Sequence, residues 1–243
     1  MAEYDVFAEI DQLYGEPKHA QRLTLDQVNR FRDVLPTKLL DFWVFHGAGC
    51  YLDGKFWLCD PELMNPVMNA IFKNDPGFVV GQLHTFGYSS FGSLFCWQEK
   101  KELLWVDFYP PTASEENYNE NEPTRPELAG IPRSSPDFIV GIAVLNGIDN
   151  DSGSPYDVND QPLFPQALAK LGPLAPGEIY GFVPALQLGG EMRIENVRKV
   201  GVVEHLLLLA QLSTFDLTWL APSTPTQPFG VIETIRQIRK AGP

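Results

Sequence analysis

Two short stretches of the sequence carry residue types that could support enzymatic chemistry. The stretch Gly87-Tyr88-Ser89-Ser90-Phe91-Gly92 resembles the G-x-S-x-G turn that exposes a nucleophilic serine, but its closing glycine comes one position late. His46 and Cys50 are four residues apart and Cys59 follows, yet a zinc site needs a fourth ligand and paired spacings such as C-x₂-C. The sequence therefore favours a serine-rich turn and buried thiols over a catalytic serine or a zinc site.

A third stretch has acidic residues at four ligand positions of a calcium-binding loop. Positions 1, 3, 9 and 12 are occupied by Asp149, Asp151, Asp157 and Asp160. Gly153 stands at position 5, where an oxygen ligand is needed, and Asp160 is shorter than the bidentate glutamate usual at position 12. Because both mismatches remove ligand oxygens, we predict no metal ion and no cofactor for this protein.

Acidic residues are concentrated in the middle of the chain. Residues 102–169 hold 12 acidic and 2 basic residues, and the whole chain of 243 residues has a net charge of −13. Two groups stand out, namely Glu115, Glu116, Glu120 and Glu122, and then Asp149, Asp151, Asp157 and Asp160. Such runs form either a solvated loop or a surface complementary to a basic partner, and both interpretations are open at this point.

The tryptophans follow the apolar periodicity, which favours the protein core over a binding platform. They are Trp43, Trp57, Trp97, Trp105 and Trp219. An enzyme with an aromatic-lined pocket is nevertheless an alternative, because catalytic groups that are distant in sequence meet only in the fold. A second alternative is a non-catalytic regulatory module that binds a small ligand or a peptide. Activity of the purified protein alone would favour the enzyme.

The elements that position these residues change in type along the chain. In the first 45 residues apolar side chains recur at helical spacing, and Thr24 to Gln27 has the form of a capping box. Pro36 suits the first turn of a further helix, and Gly47 predicts its end. Asp53-Gly54 separates two apolar runs and predicts a hairpin, while aromatic-rich residues 78–97 and 103–109 predict strands.

The second half begins with a change in composition. Residues 110–136 are rich in proline, asparagine and glutamate and predict a long acidic loop. Residues 138–145 predict a strand or a buried helix, and further helices are predicted at residues 163–171, 202–212 and 231–240. We therefore predict an α+β protein of two closely packed subdomains, with a mixed or antiparallel sheet and flanking helices.

The sequence also bears on compartment and partners. Its apolar runs fall short of the roughly 18 residues of a membrane span, and its N-terminus lacks the basic start of a signal peptide. Three cysteines, an odd and sparse count, suit a reducing compartment, so we expect the cytoplasm. The negative charge argues against direct binding to nucleic acid or to an anionic membrane.

Two multi-residue stretches resemble known families. Residues 35–43 (LPTKLLDFW) and 47–57 (GAGCYLDGKFW) resemble the GAD-like domain of bacterial immunity proteins. Residues 178–190 (EIYGFVPALQLGG) are similar to the C-terminal domain that follows GAD-like domains in immunity proteins of type VI secretion systems. The residues that carry the resemblance include Trp43, Gly47, Gly54, Trp57, Gly92, Trp97, Glu178, Phe182, Pro184, Gly189 and Gly190.

The resemblance implies a non-enzymatic protein that binds a cognate nuclease toxin one-to-one, blocks its action on DNA and so protects the producing cell. It implies a GAD-like domain at residues 1–109 and a C-terminal immunity domain at residues 137–243, joined by the acidic segment 110–136. The matched residues would then be structural. Because the DNA-binding surface of a nuclease is basic, we expect part of the acidic segment to contact the toxin. Either acidic group could do so, and the second is favoured because it is closer to recognisable folded segments; aromatic contacts would come from Tyr156, Phe164 or Tyr118.

Overall fold

The computed structural model describes residues 5–99, 102–116, 135–149, 154–221 and 231–239. Within these ranges the chain forms α-helices and β-strands in mixed order, which confirms the predicted α+β class. The helices are α1 (Val6–Tyr14), α2 (Leu25–Phe31), α3 (Thr37–Phe45), α4 (Asn65–Phe72), α5 (Pro136–Asp149), α6 (Leu163–Leu171) and α7 (Val202–Leu212). The strands are β1 (Lys18–Gln21), β2 (Ala48–Tyr51), β3 (Phe56–Leu58), β4 (Leu83–Ser89), β5 (Leu94–Gln98), β6 (Glu102–Phe108), β7 (Pro111–Glu116), β8 (Glu178–Phe182), β9 (Val197–Gly201), β10 (Asp216–Ala221) and β11 (Val231–Gln237).

One large sheet organises the structure. Its nine strands lie in the order β1-β2-β3-β4-β5-β6-β7-β10-β11, and β8 and β9 form a separate antiparallel pair. Neighbouring strands of the large sheet are antiparallel except β7 and β10, which are parallel. The sheet is therefore mixed, as predicted.

Both faces of the large sheet are buried. Along β5, Leu94 and Cys96 belong to a core shared with α4, α6, α7 and β8, whereas Phe95 and Trp97 belong to a core shared with α1, α3 and α5. Successive side chains of a strand point to opposite faces, so a strand covered on both faces is apolar at every position. This explains why the sequence of β5, LFCWQ, does not alternate between apolar and polar residues.

Several local signals act as predicted. Thr24 N donates to Gln27 Oε1 (2.9 Å) and Gln27 N donates to Thr24 Oγ1 (3.3 Å), which completes the capping box. Gly47 ends α3 with φ 93°, and Asp53 and Gly54 turn the β2–β3 hairpin with φ of 60° and 95°. A positive φ of this size strains most other residues, so these positions favour glycine or aspartate.

Two predicted elements differ in the structure. The predicted helix at residues 231–240 is instead strand β11, which pairs with the edge of β10. Isoleucines three residues apart fit a helix, but the unpaired backbone groups of β10 offer hydrogen bonds that a separate helix would leave unmade. The predicted loop at residues 110–136 contains strand β7 at residues 111–116, between β6 and β10, and residues 117–134 lie outside the described ranges.

Helix α5 decides between the two interpretations of residues 138–145. All eight of these residues are buried, and the helix packs against α1 and α3 as well as the sheet. A helix that is apolar all round belongs in a core. Helix α5 contacts α1 and α3, and β7 pairs with β6 and β10, so these elements join the two halves of the chain. The division into two domains stays a prediction. No helix in the described ranges is long and apolar enough to cross a membrane.

A buried histidine on α7 links this helix to the sheet. His205 Nε2 lies 3.3 Å from the hydroxyl of Tyr109. The imidazole also packs against Gly181, where an added Cβ would lie 2.6 Å from Nε2. Burial lowers the pKa of His205, because the charged imidazolium would lose its hydration there.

We expect this histidine to make stability depend on pH. Because its folded pKa is depressed, the unfolded chain takes up a proton first, so stability is complete above about pH 6.5 and falls as pH decreases toward the folded pKa. Urea unfolding at about pH 7.5 and 5.5 should show a larger loss in the wild type than in His205→Gln. An equal pH dependence in the two proteins would contradict this role.

Candidate functional site

The members of the predicted acidic groups that the structure describes lie on different elements. Glu115 lies on β7, opposite Leu104 of β6 and Trp219 of β10. Asp149 ends α5, where its Oδ1 accepts a hydrogen bond from the Tyr14 hydroxyl (3.1 Å). Glu116 is the last residue of β7, and Glu120, Glu122 and Asp151 lie outside the described ranges.

The remaining members of the second group lie in the turn before α6. Asp157 Oδ1 accepts hydrogen bonds from the backbone N–H groups of Asn159 (2.8 Å) and Gln161 (3.0 Å). These hydrogen bonds, that of Gln161 first, lower the pKa of Asp157. Asp157 therefore holds the turn, whereas Asp160 and Tyr156 are exposed beside it.

The stretches considered for metal or serine chemistry take part in the packing and hydrogen bonding of the fold. Over the described ranges, no three His, Cys, Asp or Glu side chains are grouped so as to hold a metal ion. Ser89 and Ser90 are buried in the turn between β4 and β5, where Ser89 Oγ accepts a hydrogen bond from Ser93 N (3.0 Å). Ser90 N donates to Lys55 O (2.8 Å), so the stretch joins neighbouring turns.

The three cysteines are buried free thiols. Burial raises the pKa of Cys50 to about 11 and that of Cys96 to about 12, and it also raises the pKa of Cys59. A thiol is a nucleophile as the thiolate, so such pKa values keep these groups unreactive near neutral pH.

An aromatic-lined cavity of about 320 Å³ lies between the β1–α2 segment, strands β3 and β4, and residues 176–177. Trp57 is part of its lining, and the ring centroid of Trp57 lies 6.2 Å from that of His19 and 6.1 Å from that of Tyr88. The hydrogen bonds of the polar lining join Gln27 Nε2 to Asp60 Oδ2 (3.2 Å) and the Cys59 thiol to the backbone. The lining offers aromatic surface and structural hydrogen bonds.

Two family models match the chain. Residues 5–107 match the GAD-like domain, and residues 148–213 match the family described as T6SS immunity protein Tdi1, C-terminal. The chain carries a GAD-like domain followed by a Tdi1-type C-terminal domain. Both resemblances are thereby confirmed, and the Tdi1-type domain supports a role as an immunity protein of a type VI secretion system (T6SS).

A solved structure has the same fold over nearly the whole chain. It is the crystal structure of Atu4351 from Agrobacterium tumefaciens, with a TM-score of 0.80 and 24% identity over 96% of this chain and 97% of that chain. No functionally curated protein matches this sequence.

Most family-motif residues lie in turns or in the core. In the GAD-like domain the rings of Trp43, Trp57 and Trp97 are buried, and in the Tdi1-type domain Phe182 is buried. Positive φ angles occur at Gly47, Gly54, Gly92 and Gly189. Glu178 Oε2 accepts a hydrogen bond from Ala175 N (2.9 Å), Pro184 follows a cis peptide bond, and Gly190 packs on the Pro184 carbonyl.

Sequence reasoning missed a surface feature of the GAD-like domain. Val44 and Phe45 end α3 with exposed side chains, and a groove runs beside them between α1 and α3. The sequence shows that Phe45 follows Asp41 by one helical turn, but it does not show that Asp11 of α1 lies beside them. Only the packing of α1 against α3 brings these residues to one groove.

Proposed function

We propose that this protein binds and inhibits the nuclease toxin of a type VI secretion system, and that it has no catalytic activity of its own. The match of residues 148–213 to the Tdi1 immunity family carries the proposal. The cavity beside Trp57 adds little to an enzymatic alternative, because Gln27, Asp60 and the Cys59 thiol in its lining are engaged in hydrogen bonds within the protein. The protein would act in the cytoplasm, where a DNase meets its substrate.

Charge provides a second and independent support. A nuclease that acts on DNA must attract phosphate, so its substrate-binding surface is basic. This chain has a net charge of −13, most of it in residues 102–169. An acidic inhibitor is drawn to such a surface, covers it and excludes DNA, and the same charge disfavours direct binding of nucleic acid to the inhibitor.

The acidic groups supply attraction, and other contacts must supply affinity. Exposed ion pairs contribute roughly 0–1 kcal/mol each. A tight one-to-one complex therefore needs aromatic or apolar anchors near its centre. Tyr156 is exposed next to Asp160 and meets this need, whereas Phe164 is buried and does not. Tyr118 lies outside the described ranges.

Neutralising the acidic groups is expected to slow association by about tenfold or more at low salt, with a smaller change in dissociation. One variant replaces Glu115, Glu116, Glu120 and Glu122 with glutamine. A second replaces Asp149, Asp151 and Asp160 with asparagine and keeps Asp157, because Asp157 holds the turn before α6. Stopped-flow binding to the cognate toxin, over a series of salt concentrations, measures both rates.

A matched control comes from the Tdi1-type domain. Glu191 and Glu195 are exposed acids in residues 170–243, where acidic and basic residues nearly balance, and their replacement with glutamine should leave association unchanged. If neither acidic group affects association and salt has no effect, the electrostatic mechanism is wrong. If cells that produce the wild-type protein are still killed by the toxin, the proposed function itself is wrong.

A further inference from the structure

The groove between α1 and α3 has a volume of about 480 Å³ and opens on the surface of the GAD-like domain. Its floor is apolar, with the rings of Phe7 and Phe42 buried beneath it. Phe45 stands at its rim with 68% of its surface exposed. A phenylalanine this exposed contributes little to the core, and large aromatic side chains are typical anchors of protein interfaces.

Negative charge predominates along this groove. Its lining holds three aspartates and one lysine, namely Asp5, Asp11, Asp41 and Lys38. Lys38 Nζ donates to Asp5 Oδ2 (2.7 Å), and Asp5 also caps α1, so these two groups are already engaged. Asp11 and Asp41 are exposed, and within the described ranges no Lys or Arg forms an ion pair with either one.

Asp11 and Asp41 line the groove together with the exposed ring, and Lys38 interacts electrostatically with Asp41. Asp41 precedes Phe45 by four residues, and side chains at this spacing are neighbours on a helix surface. On the other side, the ring of His46 lies edge-on to Phe45, with centroids 4.7 Å apart, and His46 Nε2 is 3.7 Å from Asp11 Oδ1. The exposed ring of Phe45 therefore lines the same groove as carboxylates from both helices.

His46 itself is set firmly into the groove. Only 9% of its side chain is exposed, and its ring lies 4.6 Å from that of Phe42. Its Nδ1 makes no hydrogen bond in the described part of the chain and lies 4.0 Å from Glu16 Oε1. His46 therefore lies between the carboxylates of Asp11 and Glu16, which adds to the negative charge beside the groove.

We propose that this groove receives an arginine side chain from the basic surface of the toxin. A guanidinium group stacks on an aromatic face and donates several N–H bonds in its plane, which suits a phenylalanine that shares a groove with two carboxylates. A lysine would satisfy the charge but not the stacking. A second copy of this chain is disfavoured as occupant, because each copy carries a net charge of −13.

This proposal rests on the proposed function and places a toxin contact on the GAD-like domain, in addition to the acidic groups that the sequence singled out. One member of those groups, Asp149, accepts a hydrogen bond from Tyr14 at the end of α1. It also gives the apolar anchor that charge alone does not supply. Phe45 would provide the stacking energy, and Asp11 and Asp41 would orient the guanidinium.

The test compares the affinity of matched variants for the cognate toxin. Phe45→Ala and the double variant Asp11→Asn, Asp41→Asn should each weaken binding by about 30-fold or more, as expected at an interface hot spot. Phe45→Trp should keep the affinity of the wild type, because tryptophan also stacks on a guanidinium. Asp41→Lys should weaken binding more than Asp41→Asn does, because the lysine would repel the guanidinium.

The controls lie on α2. Leu25 is also 68% exposed and Asp26 is exposed beside it, so Leu25→Ala and Asp26→Asn should bind within about threefold of wild type. If Phe45→Ala and the double variant bind as tightly as these controls while the wild type still inhibits the toxin, the groove proposal is overturned and the proposed function stands. If the wild type fails to bind the toxin, both are overturned. Unchanged thermal unfolding of Phe45→Ala confirms that the fold is intact.

Discussion

Replacing Asp75 with alanine should lower the free energy of unfolding by about 2–3 kcal/mol, because it removes a buried carboxylate and leaves its hydrogen-bond donors without a partner. The Asp75 carboxylate is fully buried and accepts four hydrogen bonds. Both terminal nitrogens of Arg236 donate to it, as do the backbone N–H groups of Gly77 (2.9 Å) and Arg239 (2.9 Å). These bonds hold β11 against the segment that follows α4. Urea unfolding of the two proteins measures the difference.

The same carboxylate predicts a pH effect. The hydrogen bonds from Arg236, followed by those from the backbone, hold the pKa of Asp75 well below its usual range. Its contribution is therefore complete above the unfolded pKa of about 3.9 and is lost as pH falls toward the folded pKa. Asp75→Ala should lose less stability than the wild type over that acid range.

An exposed ion pair provides the control. Arg30 Nη1 and Glu62 Oε1 are 2.7 Å apart, and both side chains are about half exposed. Such pairs contribute roughly 0–1 kcal/mol, so Glu62→Ala should change stability little. If Asp75→Ala costs no more than Glu62→Ala, Asp75 does not hold β11 in the way that the structure indicates.

Replacing Gly190 with alanine is expected to destabilise the Tdi1-type domain by about 2–3 kcal/mol, because the new methyl group has no space. A Cβ at this position would lie 2.1 Å from the Pro184 carbonyl oxygen, which belongs to the backbone and cannot rotate away. Gly190 N also donates to Ala185 O (3.0 Å), so the turn would have to open to admit the methyl group. Chemical denaturation of the variant measures the loss.

Gly81 is the matched position for this substitution. A Cβ there meets nothing within 4 Å, and its φ lies outside the left-handed region. Gly81→Ala should therefore stay within about 0.5 kcal/mol of wild type, as substitutions at unconstrained surface sites do. Similar unfolding curves for Gly81→Ala and Gly190→Ala would show that the approach to Pro184 relaxes at little cost.

Helix boundaries were predictable wherever local chemistry sets them. The capping box at Thr24 and the glycine at position 47 act through atoms a few residues away, and both formed as the sequence indicated. The helices at residues 163–171 and 202–212 have the predicted bounds because their apolar periodicity coincides with clear end signals. The family motifs were likewise visible, because they are contiguous in sequence.

The site depended on contacts that are distant in sequence. The sequence grouped the acidic residues by proximity along the chain, whereas the fold places Glu115 on the large sheet, Asp149 beside Tyr14 and Asp160 in a turn before α6. The groove beside Phe45 exists only because α1 packs on α3. The spacing of apolar residues in α1 or in α3 does not indicate that these two helices pack against each other.

By itself, the sequence determined the α+β class, the ends of α6 and α7, the β2–β3 hairpin and the family. These features follow from local hydrogen bonding, side-chain periodicity and contiguous motifs. Tertiary structure decided that residues 231–237 form a strand, since their isoleucine spacing is compatible with a helix and the free edge of β10 selects the strand. It likewise decided that α5 is a helix and that β7 joins the two halves of the sheet. A segment whose local preferences are balanced takes the conformation that satisfies its backbone against its neighbours, and those neighbours come from distant parts of the chain.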